Sequence, residues 1–327
     1  MIRTIGKTIV ASLIVMLFPL SAMAENWNLY TYISTTSIIP GKAIEDLAKQ
    51  IEKDANGDLD VHVHLGGSLP IKATNITQAV SQGGTIQIAD DGFPYGNVPV
   101  AGVLNLPMLL PTEEKFQKAL DVMMPELKKS FAKKGVELLA TYHYTLQVLW
   151  SRDKMNSFAD INGMKIRVTS PQQAAFIRAF GGTPVTIGTP EVAPALQRGV
   201  VAGVITSSTG GGSIWKDLLT HTYRLGPNFF TSYIIANKKA FDSLDPKLQE
   251  TVRRAAQTVA EHITEQLRSS EKETTRKMAE HGMVVTPAKQ SDIQDGIKRM
   301  EPYWKKWASE HGPETTQALE RIRDAIQ

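Results

Sequence analysis

Arg167 occupies the position in this chain with the clearest chemical promise. It stands in Met164-Lys165-Ile166-Arg167-Val168, a short apolar run with Asn162-Gly163 before it and Pro171 shortly after it. A guanidinium stays charged at neutral pH, and its planar fork of donors matches a carboxylate in two parallel hydrogen bonds. An arginine on a sheet rim, paired with a neighbouring acid, has the same local sequence. Other reactive patterns are sparse. Ser130-Phe131-Ala132-Lys133 and Ser213-Ile214-Trp215-Lys216 have Ser-x-x-Lys spacing, but Ser-Asp-Asn and Lys-Thr-Gly do not accompany them. Gly-x-Ser-x-Gly, His-Glu-x-x-His and Walker patterns do not occur. His62 and His64 share one face of a strand, either as a metal pair or as a solvent face opposite Val61 and Val63. Thr209-Gly210-Gly211-Gly212-Ser213 suits an anion cradle at a helix start or a flexible loop. The chain has no cysteine, which excludes disulfides, thiolate nucleophiles and thiolate metal sites. Neither catalysis, a metal nor a cofactor is expected.

The elements around Arg167 follow from turn signals. A strand at 164–168 precedes a helix from Pro171 to Phe180. After Gly181-Gly182 comes Thr183-Pro184-Val185, then a helix opened by Pro190 and Glu191, then a strand from Gly199 to Ile205. This is a parallel α/β unit, whose ligands gather where strands end and helices begin. The same order appears earlier. An alternating strand, Trp27 to Ile33, precedes a helix from Pro40 with apolar Ala43, Leu47 and Ile51. The strand Leu59 to Leu65, a helix after Gly66-Gly67 to about Gln82 and the strand Thr85 to Ala89 complete it. A helix from Thr112 to Lys134 leads into Val136–Tyr144 and Gln147–Arg152, which cross between two units. Phe230–Ala236 reads as the returning strand, and Pro246 opens a long helix to about Gly282.

The expected fold is therefore α/β and two-lobed, the lobes joined by hinge strands and a long connecting helix. Residues 1–24 read as a signal peptide: Arg3 and Lys7, an apolar run from Ile9 to Leu20, and Ala22-Met23-Ala24. Residues 25–145 form the first domain, 146–229 the second, 230–272 the return and connecting helix, and 273–327 the completion of the second domain. Hydrophobic residues, 42% of 327, suffice for two cores. Without Arg3 and Lys7 the net charge falls from +3 to +1, and no basic stripe suggests a nucleic-acid partner.

Several strings carry a family resemblance: Met164-Lys165-Ile166-Arg167-Val168, Gly182-Thr183-Pro184, and Glu191-Val192-Ala193-Pro194-Ala195-Leu196-Gln197-Arg198-Gly199-Val200-Val201-Ala202-Gly203. With Gly57–His64, Leu106–Pro111 and Ala236–Leu244, in this order and spacing, the chain resembles the extracytoplasmic solute-binding proteins of TRAP transporters, the DctP family. The resemblance spans nearly the whole mature chain. It implies a periplasmic, monomeric receptor that closes on a small organic acid and serves a small four-helix and a large many-helix membrane subunit. It also implies that Arg167 holds the carboxylate.

Some family members carry a second arginine where this chain reads Tyr144-Thr145-Leu146-Gln147. Gln147 is the nearest polar match, which favours a monocarboxylate. Asp90 and Asp91 end a strand where the family often presents a polar or acidic group, although aspartate before Gly92 is also a turn signal. Thr206 and Ser207 follow the strand after Gly203, as anion donors or as helix caps. Family members commonly have an acid where this chain has Ala202. Of the aromatics near strand ends, Phe93, Tyr95, Tyr142, Tyr144, Trp215, Phe229 and Phe230, most suit the core. Trp215 and Phe230 lie where the chain returns through the hinge, and would give the ligand an apolar or aromatic body. The alternatives are a periplasmic hydrolase, or a binding protein serving a sensor kinase or an ABC importer.

Overall fold

Paired strands and capped helices alternate in the order expected for a two-lobed α/β protein. The computed structural model describes residues 24–327, so the signal-peptide expectation lies, apart from Ala24, outside the described residues. The first elements are β1 (Glu25–Thr31), α1 (Ile39–Asp54), β2 (Leu59–His64), α2 (Ile76–Gln82), β3 (Ile88–Asp91), α3 (Glu113–Ala132) and β4 (Val136–Ser151). Then come β5 (Lys165–Val168), α4 (Pro171–Ala179), β6 (Thr183–Thr186), α5 (Thr189–Gln197), β7 (Gly203–Thr206), the short α6 (Ser213–Trp215) and β8 (His221–Asn237). The last are α7 (Lys238–Ser243), α8 (Pro246–Glu280), β9 (Val284–Thr286), α9 (Gln290–Glu310) and α10 (Pro313–Ala325).

Two parallel clusters meet at an antiparallel pair. β1 runs parallel to β2 and β3, and β5 runs parallel to β6 and β7. Between them β4 and β8 pair antiparallel along their length, giving the order β2-β1-β3-β8-β4-β7-β5-β6, with β9 on β8. Val136–Tyr144 and Phe230–Asn237 thus belong to the first lobe, while Val148–Ser151 and His221–Tyr223 belong to the second. The β4–β8 ladder slips between Tyr144 and Gln147, and again between Gln147 and Leu149. Those slips mark the crossing between lobes.

Local chemistry sets where the helices begin. Ser170 caps α4 by accepting from the Gln173 amide, and Pro171 pre-sets its first turn, so this helix starts four residues after Arg167. Asp245 accepts from the amides of Lys247 and Leu248 to start α8. Over 35 residues, about 52 Å at 1.5 Å per residue, α8 buries Val252, Ala256, Ile263 and Leu267. It packs on α1 and β4, then reaches the 208–212 turn and β9 in the other lobe.

Three expectations are corrected. The second domain was expected to take all of 273–327, but α10 packs on α3 and the 99–105 segment of the first lobe. The indole of Trp304 donates to the Pro107 carbonyl at 2.7 Å, which ties α9 to the same side. The helix expected after Gly66-Gly67 to about Gln82 begins only at Ile76: Pro70 lies in the loop before it, and at Gly66 that loop passes close to the backbone just after β1. A Cβ on Gly66 would lie 2.4 Å from the Tyr32 carbonyl oxygen. The strand expected from Gly199 begins at Gly203: Gly199 has φ +70° and ends α5, and Val200 is exposed.

Candidate ligand-binding cleft

Strand ends from both lobes converge on one cleft. β5 presents Arg167 and, just past its end, Thr169; β7 presents Thr206; β4 presents Tyr144 and Gln147 where it crosses between lobes. Tyr32 and Ile33 follow β1, Phe93 follows β3, Phe230 sits on β8, and Trp215 closes α6. The cavity in the cleft measures about 40 Å³, so the walls stand close. A wider recess adjoins it through Tyr32 and Phe93, bounded by residues 66–74 of one lobe and 186–191 of the other. A Cβ on Gly67 would lie 3.5 Å from Pro190, so the two lips already meet.

Arg167 is 3% exposed. Its Nε donates to the Ile187 carbonyl at 3.1 Å, and its guanidinium carbon lies 5.4 Å from the centre of the Trp215 ring. Among the described residues no carboxylate pairs with it. Burial lowers its pKa from the ordinary arginine range to about 10, only partly countered by Tyr32 and Glu191. Among the described residues it is the one charged side chain on the cleft wall.

The rest of the wall is neutral. Tyr32, Phe93 and Phe230 meet edge to face with centroids 5.5, 5.9 and 5.9 Å apart, and Tyr144 joins Phe230 at 5.6 Å. The Tyr32 hydroxyl donates to that of Tyr144 at 3.1 Å. Burial raises the pKa of both phenols, so they stay protonated. Thr206 Oγ1 accepts from the Gly211 amide at 3.0 Å, leaving its own proton to donate.

Six of the nine residues expected at the site beside other lining groups are thus together: Arg167, Gln147, Tyr144, Thr206, Trp215 and Phe230. Asp90, Asp91 and Ser207 are not on the wall. Asp90 is fully buried and accepts from Thr31 at 2.8 Å, Tyr142 at 3.0 Å and Ser232. Asp91 accepts from Thr77 and from the Phe93 amide at 2.8 Å. Burial lifts their pKa values to about 6 and about 7. Ser207 accepts from the Gly210 amide at 3.1 Å and caps the turn that follows, as the capping alternative has it. Tyr95, Tyr142 and Phe229 belong to the core, where Tyr95 receives a hydrogen bond from Asn105 and Phe229 packs on Phe116. His64 meets the Asn28 side chain at 2.9 Å, and no group of metal ligands forms among the described residues. Tyr32 and Thr169 were missed, although both directly follow strands and the strand-end rule reaches them.

The glycine-rich turn 208–212 supplies Gly210 and Gly211 to the wall, and it is fixed from behind. Glu271 of α8 accepts from the amides of Ser208 and Thr209, the Thr209 hydroxyl and Arg224, each at 3.0 Å. Burial pushes the Glu271 carboxyl up, but these donors more than offset it and its pKa lies below the ordinary value. The turn is therefore a built wall rather than a loose loop.

The model of the family described as bacterial extracellular solute-binding protein, family 7, matches residues 31–311. The chain belongs to this family. It is a solute-binding receptor rather than an enzyme. Among curated relatives of this family-7 receptor, the ectoine/5-hydroxyectoine-binding periplasmic protein UehA of Ruegeria pomeroyi is 28% identical over 253 residues, covering 74% of this chain and 72% of that protein. The ectoine-binding periplasmic protein TeaA of Halomonas elongata is 27% identical over 299 residues, covering 86% and 85%. A crystal structure of DctP7, a Bordetella pertussis extracytoplasmic solute receptor binding pyroglutamic acid, superposes with a TM-score of 0.85 at 22% identity, covering 92% of this chain and all of that one. Among the described residues no helix is long and apolar enough to cross a membrane.

Proposed function

We propose that this chain is the periplasmic receptor of a TRAP transporter and captures a compact organic acid between its lobes. The single observation behind the reading is Arg167, a buried guanidinium that among the described residues forms no ion pair, at the head of a cleft whose other lining groups are neutral. An isolated buried charge is costly, and a bound carboxylate offsets that cost with two charged hydrogen bonds. One cationic anchor suits one carboxylate, so the ligand is a monocarboxylate. The Tyr32, Phe93 and Phe230 rings suit a flat apolar body.

Micromolar affinity needs about 8 kcal/mol, whereas a charged hydrogen bond nets ~1.5–3 kcal/mol. The remainder comes from closing the cleft and excluding water, with the lips at 66–74 and 186–191 as the entrance. The ligands named for the relatives, ectoine, 5-hydroxyectoine and pyroglutamic acid, each carry one carboxylate on a small ring, which supports this reading. The closed monomer would deliver its acid to a small four-helix and a large many-helix membrane subunit.

The test is a thermal-shift screen of the secreted mature protein against organic acids, with mass spectrometry of any small molecule that co-purifies. A monocarboxylate hit, returned chemically unchanged after long incubation, is the expected result. Binding only of uncharged solutes, or turnover of the hit, overturns the proposal.

A further inference from the structure

Gln147 sits where β4 passes between the lobes, 3% exposed and on the cleft wall. Its Nε2 donates to the Thr145 carbonyl at 3.1 Å, which fixes which end of the amide is committed to the protein. Among the described residues no group donates to Oε1. The polar groups around it mostly give protons. Arg167 is a donor only, Thr206 and Tyr144 accept from Gly211 and Tyr32 and keep their own protons, and Thr169 is occupied with Gln173. The cleft therefore offers several donors, the hydroxyl oxygens of Tyr32 and Thr169, and one amide oxygen with no donor of its own, which loses its water when the cleft closes and is costly to leave without a replacement.

Among the described residues no carboxylate lines the cleft itself, Glu191 lying on the adjoining recess, so an ammonium group held among the rings would have no ionic partner. A neutral or delocalised N–H suits an amide oxygen. The box of three rings favours a flat ligand, and a flat ring presents an in-plane donor most simply as a ring N–H. On the reading that Arg167 holds the carboxylate, we infer that Gln147 Oε1 accepts a hydrogen bond from a ring N–H of the ligand. The receptor then selects small cyclic acids of the lactam or cyclic-amidine kind over equally charged acids that lack the N–H. The same residue makes the site unsuited to a second carboxylate, whose oxygens would face its lone pairs.

The experiment compares matched pairs by isothermal titration calorimetry on the full mature chain. Each pair is a lactam acid and the lactone acid of the same ring, in five-membered (5-oxoproline) and six-membered forms, with ectoine as the cyclic amidine. Exchange of N–H for O changes little but the donor. In the wild type, the better lactam should bind about 30-fold more tightly than its lactone, since an oxygen left unpaired costs on the order of a tenfold to a hundredfold in affinity. Gln147→Met should reduce that ratio to within about threefold while leaving melting of the free protein nearly unchanged. Equal binding of lactam and lactone in the wild type, a ratio that survives Gln147→Met, or a screen in which only sugar acids or open-chain acids bind, overturns the inference. The methyl ester of the lactam acid separates this from the underlying reading. If the ester binds as well as the acid, the Arg167 anchor fails; if the ester is lost while lactam and lactone tie, only the role of Gln147 fails.

Discussion

Arg167→Met removes the charge from the head of the cleft while keeping much of the side-chain volume, and its two effects should have opposite signs. In the ligand-free protein the fall of the Arg167 pKa from the ordinary arginine range to about 10 corresponds to ~3 kcal/mol, at 1.36 kcal/mol per tenfold change. A base whose folded value lies below its unfolded one destabilises the fold at neutral pH, and that penalty is relieved only as pH climbs past about 10 toward the ordinary arginine range. Against the gain stand the lost hydrogen bond to Ile187, about 1 kcal/mol, and the lost stacking on Trp215, about 1 kcal/mol. The balance is a gain of ~1 kcal/mol, or a melting midpoint about 2–4 °C higher. With ligand, the carboxylate would be buried without a partner at a cost of about 3–5 kcal/mol, an affinity loss of about 150- to 5,000-fold. Differential scanning fluorimetry without ligand and calorimetry with the best acid measure the two effects separately. Affinity within about threefold of wild type refutes the anchor, and a ligand-free midpoint more than about 5 °C lower refutes the desolvation argument.

Asp90 and Asp91 predict an acid-side stability gain. Burial lifts their folded values to about 6 and about 7, above the unfolded ~3.9, so the native state holds more protons and stability rises as pH falls from about 7 toward 4. Melting should be later at pH 5 than at pH 8, with Asp91→Asn flattening the difference; a midpoint that climbs with pH across this window contradicts the assignment. Gly211→Ala should place a Cβ 2.2 Å from the Trp215 ring and 2.7 Å from Thr206 Oγ1, driving the indole off Arg167. Calorimetry should record at least about a tenfold loss of affinity, accompanied by a shift in tryptophan emission, and unchanged values for both would show that the wall yields elsewhere. Phe230→Ala opens the box of rings and should weaken a ring-bearing acid by about 10-fold or more, but an open-chain acid by only a few-fold. Equal losses for both ligands would deny the rings a role in recognition.

Arg167 was legible because one rule, that ligands meet strand ends in parallel α/β units, needs only a strand, a turn and a helix cap in sequence. The same rule also selects Asp90 and Asp91, and there it fails. β3 is buried along all four residues, so no alternation of polar and apolar positions reveals which side chains face the cleft and which face hydroxyls in the core. The fold was largely readable from Pro, Gly and cap residues, including Pro171, Pro246 and Asp245. The return of α10 to α3 was not, since its amphipathic face would serve either lobe and the partner surface lies some two hundred residues away in sequence. The turn at 208–212 was ambiguous for a related reason: glycines signal freedom, and the carboxylate that removes it belongs to a distant helix.

That carboxylate has a consequence for re-engineering such receptors. Glu271 does not itself line the cleft, yet its four hydrogen bonds set where Gly210 and Gly211 stand, and so the depth of the chamber beside Trp215. Transplanting only the inner-surface residues of a relative would import its palette of contacts without its dimensions. An exchange of selectivity between two such proteins has to move position 271, and Arg224 with it, as part of the mould.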